Sequence, residues 1–290
     1  MLQRSDNSLV SLDNSGSVPA SAALSFREIR VELMNYRTLA KSLLPPILLD
    51  IVRGKQTNNF VPYSNHEFKI KLRKTFFEGS TFFLPGYALH RPACRDLLAG
   101  RFYEPKTHRL IPAILRELGG NMVHAGTFFG DMLPSFARTN ARIYAFEPVL
   151  ENYVLARLCV IENELENVVL FHAALGEGQG TVRMDTGEEI HSGGASSVSD
   201  SGQITTIVSI DSISPENVSV IQLDVEGYEL HALKGASATI ERDSPVILIE
   251  DNKGNCAPFL TGKGYAQTGQ IPGLSIWTRG EAPLAVKEFD

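Results

Sequence analysis

The 290-residue chain is 43% hydrophobic, 8% aromatic and 21% charged, the profile of a soluble globular protein that can bury a core without staples. Its three cysteines, Cys94, Cys159 and Cys256, are odd in number and far apart, which argues against a disulfide framework or structural zinc site and for a reducing compartment. No run of 18 apolar residues marks a transmembrane helix.

The net charge of −6 is unevenly divided: residues 27–109 hold 15 Lys and Arg against 7 Asp and Glu, and residues 110–290 hold 11 against 24. A basic front on an acidic body suggests contact with something anionic, such as a phosphorylated substrate, a membrane surface touched peripherally, or the acidic half of a second copy in a homo-oligomer. A solvated basic face explains the same asymmetry. The surplus is spread out and carries no recognised motif, so no nucleic-acid partner is expected. The opening MLQRSDNSLVSLDNSGS lacks the apolar core of a signal peptide, and a cytoplasmic location is the expectation.

Residues 1–25 contain seven serines and little that packs, and read as a disordered leader. Helical periodicity over 26–44 stops at Pro45-Pro46. The apolar LLPPILLDIV (43–52) reads as a docking element or core piece, more than a membrane contact. A basic stretch over 66–74 leads into FFEGSTFFLPGY, whose aromatics and turn residues predict a strand or irregular hairpin. EPKTHRLIPAILRELGG (104–120) predicts a helix, because Leu110, Ile111, Ile114, Leu115 and Leu118 recur at helical spacing and Gly119-Gly120 close it.

Strands and helices then alternate. NMVHAG (121–126), ARIYAFEP (141–148), NVVLFHAAL (167–175), VSVIQLDVEG (218–227) and PVILIED (245–251) are the expected strands. DMLPSFART, LENYVLARLCVIENEL and YELHALKGASATIER are the expected helices. The Gly/Ser-rich section 176–203 is expected to hold a hairpin around Gly180-Thr181-Val182, and YAQTG with LSIWTRG a final antiparallel pair. This alternation specifies an α/β fold, a doubly wound, mostly parallel sheet covered on both faces, with ligands at the carboxyl ends of its strands.

Gly126 and Gly130, in Gly126-Thr127-Phe128-Phe129-Gly130-Asp131, stand between a strand and a helix. They allow the backbone to approach a ligand closely and leave helix N-terminal N–H groups free. A GxxxG is equally a plain tight turn, and it departs from the GxGxxG dinucleotide pattern. Glu147 ends the next strand about twenty residues on, the spacing of an acid that grips both ribose hydroxyls of an adenosine ligand. A carboxylate accepts both hydroxyl protons at once.

The blocks HAGTFFGD, YAFEP, HAALGEG, GGASS, IQLDVEGYELHALKGA and PVILIED, in this order over roughly residues 103–251, resemble the FkbM family of methyltransferases, a branch of the class I S-adenosylmethionine-dependent enzymes. The most specific block, LDVEGYELHALKGA (223–236), is similar to the family's D-x-E-G-x-E-x-x-x-L-x-G-A signature. The resemblance implies a seven-stranded Rossmann-like sheet with its last pair antiparallel, S-adenosyl-L-methionine across the first two strand ends, and methyl transfer, usually to a hydroxyl. Together with the strand-end residues it points to cofactor contacts from His124, Gly126, Thr127, Gly130, Asp131, Glu147, Pro148, His172, Ala173 and Asp224. One residue departs from the family: His124 stands where members usually carry Asp. It would donate to the cofactor carboxylate rather than act as an anion, leaving Asp131 to engage the ammonium.

Transfer to an oxygen needs an aligned acceptor and a group that takes its proton. Asp224 is the first choice for that base. Glu226 either joins it, braces the Gly227 turn or caps the following helix. His231 in that helix and His172 near the adenine edge are read either as functional or as solvated, backbone-satisfied histidines. Gly193-Gly194-Ala195-Ser196-Ser197 lies where a substrate lid would sit, or is a plain linker. Asp224 with Asp251-Asn252 offers hard oxygen ligands for Mg²⁺ or Ca²⁺, but Asp-Asn-Lys-Gly is also ordinary turn chemistry, and no metal is assigned.

The expected function is O-methylation of a sugar, lipid-linked saccharide or secondary metabolite, with a small-molecule or saccharide acceptor that is anionic if it meets the basic front. A non-catalytic scaffold of the same fold is the alternative, supported by His124 and the basic front. A nicotinamide-dependent oxidoreductase is disfavoured by the missing GxGxxG and Tyr-x-x-x-Lys. The expected organisation is a leader (1–25), a basic extension (26–102), the methyltransferase domain (103–280) and a tail (281–290).

Overall fold

The computed structural model describes residues 7–11, 69–185 and 197–289. The elements expected over 26–52, most of the 1–25 leader and residues 193–196 of the glycine-serine loop lie outside them. Within the leader, Asn7–Ser11 (β1) is a strand. The elements from residue 70 onward belong to one compact unit.

The first of these is a hairpin of Lys69–Phe77 (β2) and Ser80–Pro85 (β3), with β1 on the outer side of β2. Its two-residue turn, Glu78-Gly79, has φ of 50° and 75°, the left-handed pair whose twist matches that of the flanking strands. Two helices follow, Pro92–Leu98 (α1) and Thr107–Leu118 (α2). Gly119 (φ 66°) ends α2 where the sequence places its stop.

The central sheet is built from Asn121–Ala125 (β4), Ile143–Phe146 (β5), Val168–Phe171 (β6), Val218–Leu223 (β11), Val246–Ile249 (β12), Tyr265–Ile271 (β13) and Leu274–Arg279 (β14). Its order is β13-β14-β12-β11-β4-β5-β6. β12, β11, β4, β5 and β6 run parallel, and β14 pairs antiparallel with both β12 and β13. The parallel strands are apolar because helices cover both faces. On one face Met122, Ile143, Val220 and Leu248 pack with Leu110, Ile111 and Ile114 of α2 and Phe136 of Leu133–Ala137 (α3). On the other, Val123, Phe146, Ile221 and Ile247 pack with Leu233 and Ile240. Adjacent residues thus divide between the two layers, as the strand period requires.

A third apolar cluster joins Phe82 and Leu84 of β3 and Leu97 of α1 to Phe129, Leu155 and Cys159. The last two stand on Leu150–Glu162 (α4). So residues 70–98 of the basic front are packed through their apolar side chains onto the sheet's helical cover.

Three details differ from the sequence reading. The stretch 228–242 is two helices, Glu229–Lys234 (α6) and Ser237–Asp243 (α7). The break falls at Gly235, where a Cβ would lie 1.9 Å from the Gly176 carbonyl oxygen. The hairpin expected around Gly180-Thr181-Val182 is larger: these residues open a strand, Gly180–Asp185 (β8), that pairs antiparallel with Gln203–Val208 (β10) and with Ser197–Ser199 (β9). With Ala174–Leu175 (β7) they make a second sheet, order β7-β10-β8-β9. Finally, 281–290 holds a short helix, Leu284–Lys287, whose Val286 is buried in the core and whose Leu284 and Ala285 N–H groups donate to the Glu117 carboxylate, both at 2.8 Å. Among the described residues no helix is long and apolar enough to cross a membrane.

Candidate active site

A cavity of about 340 Å³ opens at the carboxyl ends of β4, β5, β11 and β12, the side of a doubly wound sheet where ligands bind. Its walls fall into two ends.

At the first end, β4 runs into the Gly126–Phe128 turn. Gly126 has φ of +89°, and a Cβ there would lie 2.0 Å from the Asp224 carbonyl oxygen. Only glycine lets the ends of β4 and β11 come this close. Thr127 is buried, and its hydroxyl donates to the Phe146 carbonyl oxygen at 3.0 Å, tying the turn to β5. Phe128 (φ 50°) lines the cavity. Its N–H donates to Glu147 Oε2 at 2.8 Å, while Val149 N–H donates to Glu147 Oε1 at 2.9 Å. Glu147 is 4% exposed yet stands on the cavity wall. Burial pushes its carboxyl up to about 7 against the pull of those N–H bonds. Pro148, Ala173, Leu175, Met184 and Val198 add an apolar surface beside it. Met184 and Val198 come from β8 and β9, so the Gly/Ser-rich section contributes to the wall.

The second end is polar and acidic. Asp224, Glu226 and Glu250 reach it from the ends of β11 and β12, and Arg91, Tyr103 and Glu104 from the segments flanking α1. The carboxyl groups of Asp224 and Glu250 come within hydrogen-bonding reach of each other. Burial, the Glu250 carboxyl and the other nearby carboxylates hold Asp224 well above the ordinary carboxylate range. Burial and Glu250 also raise Glu226. Burial raises Glu104 as well, although it accepts a 3.1 Å bond from the Thr107 hydroxyl. The Arg91 guanidinium lies 5.3 Å from the centre of the Phe128 ring.

Of the residues singled out from the sequence, Gly126, Glu147, Pro148, Ala173, Asp224 and Glu226 line this cavity. The others stand elsewhere. His124 points into the core beneath the turn, bonded through Nδ1 to Gln222 Oε1 and edge-on to Phe136. It faces the same layer as Met122 because it alternates with Ala125, and burial holds its ring down to about 4. Gly130 (φ +84°) meets Ala156 of α4, a packing position. Asp131 is half-buried outside the wall, its carboxyl pushed up to about 7 by burial and by Glu104. His172 is an exposed rim residue bonded to the Pro148 carbonyl oxygen at 3.0 Å. His231 stacks on Tyr228 and pairs with Glu177 at 2.8 Å, so its ring is engaged outside the cavity. Glu226 does not brace the Gly227 turn. Glu229 does, its Oε1 accepting from Val225 N–H at 3.1 Å and Gly227 N–H at 2.9 Å. Asp251 accepts from Asn255 and Cys256 N–H groups, the turn role its sequence context allows. Among the described residues no group of three or more His, Cys, Asp or Glu is arranged to hold a metal ion.

Arg91, Tyr103, Glu104 and Glu250 are wall residues to which sequence reasoning gave no role. Glu250 follows the last residue of β12 and is one of the strand-end residues at which the fold places ligands. Arg91, Tyr103 and Glu104 lie upstream of every strand of the alternation, and nothing in their spacing announces them.

Residues 124–260 match the family model described as the methyltransferase FkbM domain. No curated protein matches the chain in sequence. Among solved structures, the chain is similar to a methyltransferase FkbM from Methylobacillus flagellatus KT, with 19% identity and a TM-score of 0.41 over 55% of this chain and 43% of that one. It thus spans less than half of that protein's length. It is also similar to an O-methyltransferase from Bacillus cereus in complex with SAH (13% identity, TM-score 0.39, 60% of this chain and 80% of that one). A third is a precorrin-6y C5,15-methyltransferase from Geobacter metallireducens GS-15 (15% identity, TM-score 0.37, 61% and 88%). The seven-stranded sheet with its terminal antiparallel pair is the one that the resemblance to the FkbM family implies, and residues 124–260 match that family's methyltransferase domain.

Proposed function

We propose that the cavity binds S-adenosyl-L-methionine and that the chain transfers its methyl group to a hydroxyl oxygen of a small-molecule or saccharide acceptor. The observation that carries this reading is Glu147: a buried carboxylate, fixed by two backbone N–H groups, on the wall of a cavity beside a glycine turn that no Cβ would allow. Its two oxygens offer four lone-pair sites, so acceptor capacity remains beyond the two N–H groups and the Asn152 side chain that also bonds it, which suits a ribose hydroxyl. The apolar surface formed by Ala173, Leu175, Met184 and Val198 suits an adenine ring. The volume is at the lower end of the roughly 300–1,000 Å³ usual for small-molecule sites.

The cofactor supplies a methyl group already activated on a sulfonium. The chain's own residues bind it at the Glu147 end, hold the acceptor at the opposite end and remove the acceptor proton, with Asp224 as the base. Net negative charge at that end disfavours an acceptor that is anionic at its reacting group. His124 lies beneath the turn, so its departure from the family's usual acid leaves the cavity wall complete and gives no support to a scaffold reading. We assign methyl transfer to residues 103–280, with the β2–β3 hairpin and α1 as a packed addition.

Titration calorimetry with S-adenosylhomocysteine, S-adenosylmethionine and NAD tests the reading. Binding of the first two and not the third is expected. Binding of NAD alone would favour an oxidoreductase, and binding of none a scaffold.

A further inference from the structure

We propose that Glu250 is a positioning residue for methyl transfer: it shares one proton with Asp224, and this pair takes up the proton of the acceptor hydroxyl. The inference rests on the cavity being a methyl-transfer site. Asp224 and Glu250 extend adjacent parallel strands. Leu223 is in register with Ile249, and Glu250 N–H donates to the Leu223 carbonyl oxygen at 3.0 Å. Both side chains line the cavity, which brings their carboxyl groups within reach of a hydrogen bond to each other.

Two carboxylates have no proton to make that bond, so one of the two is a carboxylic acid and donates to the other. The surroundings favour keeping this proton. Glu104 faces the pair from the segment after α1 and Glu226 from the β11–α6 turn, with Tyr103 and Arg91 the other titratable or charged groups on this wall. The bond also fixes the rotation of the Asp224 carboxyl, which a lone strand-end aspartate would not have. Glu250 therefore acts through Asp224, setting both its direction and its proton count.

The proton balance follows. The acceptor oxygen gains the methyl carbon, the C–S bond breaks with its electron pair left on sulfur, and the hydroxyl proton passes to the singly protonated pair. The pair is then neutral and returns one proton to water.

The test is a pH titration of the full chain with ¹³C-carboxyl-labelled Asp and Glu, followed by NMR, for the wild type, Glu250→Gln and Asp224→Asn. In the wild type, alongside the Glu147 and Asp131 carboxyls that burial raises to about 7, one further carboxyl carbon, identified by its loss in Asp224→Asn, is expected to remain protonated at neutral pH. In Glu250→Gln its titration should fall by roughly one pH unit or more. If the carbon lost in Asp224→Asn is ionised by pH ~6 in the wild type, or if Glu250→Gln leaves its titration in place, proton sharing is wrong. S-adenosylhomocysteine affinity within about twofold of wild type in Glu250→Gln would show the fold and the cofactor end intact. A wild type that does not bind S-adenosylhomocysteine overturns the methyl-transfer reading, while the NMR result still decides the shared proton. With labelled cofactor and a metabolite extract, the pH optimum of transfer should move downward in Glu250→Gln, and an unmoved optimum overturns the positioning role.

Discussion

Replacing Glu147 by alanine probes the cofactor end most directly, and the structure sets the scale of the effect. The carboxylate accepts from Phe128 and Val149 N–H groups at 2.8 and 2.9 Å. Glu147→Ala leaves both donors without it. A buried donor left unmade costs about 1–3 kcal/mol, and water entering from the adjoining cavity keeps each near the lower bound. A loss of about 2 kcal/mol in folding stability is therefore expected, so Glu147 is not a mere surface carboxylate at a strand end. Binding should suffer separately, since charge-assisted bonds to ribose hydroxyls contribute on the order of 1.5–3 kcal/mol, or roughly 10- to 100-fold in affinity. The pH dependence discriminates further. Burial raises this carboxyl to about 7, and only the ionised form accepts from both hydroxyls. Wild-type affinity for S-adenosylhomocysteine should be flat above pH 7 and fall below it by up to about tenfold per unit. In Glu147→Ala that slope should vanish. Calorimetric titration at several pH values, with thermal unfolding alongside, measures all three quantities. An alanine variant that keeps wild-type affinity and the same pH slope would refute the ribose assignment.

Three further substitutions test the supports of the site. Gly126→Ala puts a Cβ 2.0 Å from the Asp224 carbonyl oxygen at a φ of +89°; strain of order 1–3 kcal/mol should weaken S-adenosylhomocysteine binding at least about tenfold, and unchanged calorimetry would show that the turn has room. Glu229→Ala removes the acceptor of the Val225 and Gly227 N–H groups and should cost about 2 kcal/mol or more in thermal unfolding, with Glu229→Gln, which keeps one carbonyl oxygen, recovering most of it. His124 is held down to about 4 from an ordinary 6.5 by burial, so the folded state prefers the neutral ring. Its stabilisation is complete above pH 6.5 and is lost as pH falls toward 4, by at most about 1.4 kcal/mol per unit. Urea unfolding of His124→Asn across that window should show a shallower pH slope than the wild type, and an identical slope would mean the ring is not the group that titrates.

The inner parallel strands were legible because burial on both faces leaves them almost purely apolar, as in VILI. Gly126 and Glu147 were legible for a related reason: strand ends are few, and chemistry at them is spaced by the fold. Packing roles were not legible. His124 and Gly126 are two residues apart, yet one faces the core and the other the ligand end, because β4 stops at Ala125 and Gly126 leaves the strand and its period. His231 sits one turn into α6 on a face that Glu177 and Tyr228 occupy, and no local pattern announces a partner 54 residues away. The charge asymmetry of the front half does not announce how it packs. Among the described residues Lys71, Lys74, Arg95, Arg101 and Arg109 are exposed, while Phe82, Leu84 and Leu97 attach this part to α4 and Glu104 adds to an acidic wall.

The signature block D-V-E-G-Y-E, residues 224–229, acquires a mechanical account from these contacts. β11 must end abruptly to present Asp224, and the chain turns through two successive left-handed residues, Glu226 (φ 55°) and Gly227 (φ 86°). A turn of that kind leaves N–H groups pointing inward with no strand or helix partner. Glu229 collects two of them from the first position of α6, where a carboxylate is also favoured by the helix dipole. Gly227 has its own constraint, since a Cβ there would lie 2.6 Å from Lys253 Cε. Three of the six positions thus make the turn, and Asp224, at its start, presents its side chain to the cavity beside Glu250, with Glu226 reaching the same wall from within the turn. The block is specific because the placement of one carboxyl group at a strand end depends on a glycine and a buried glutamate that never reach the ligand.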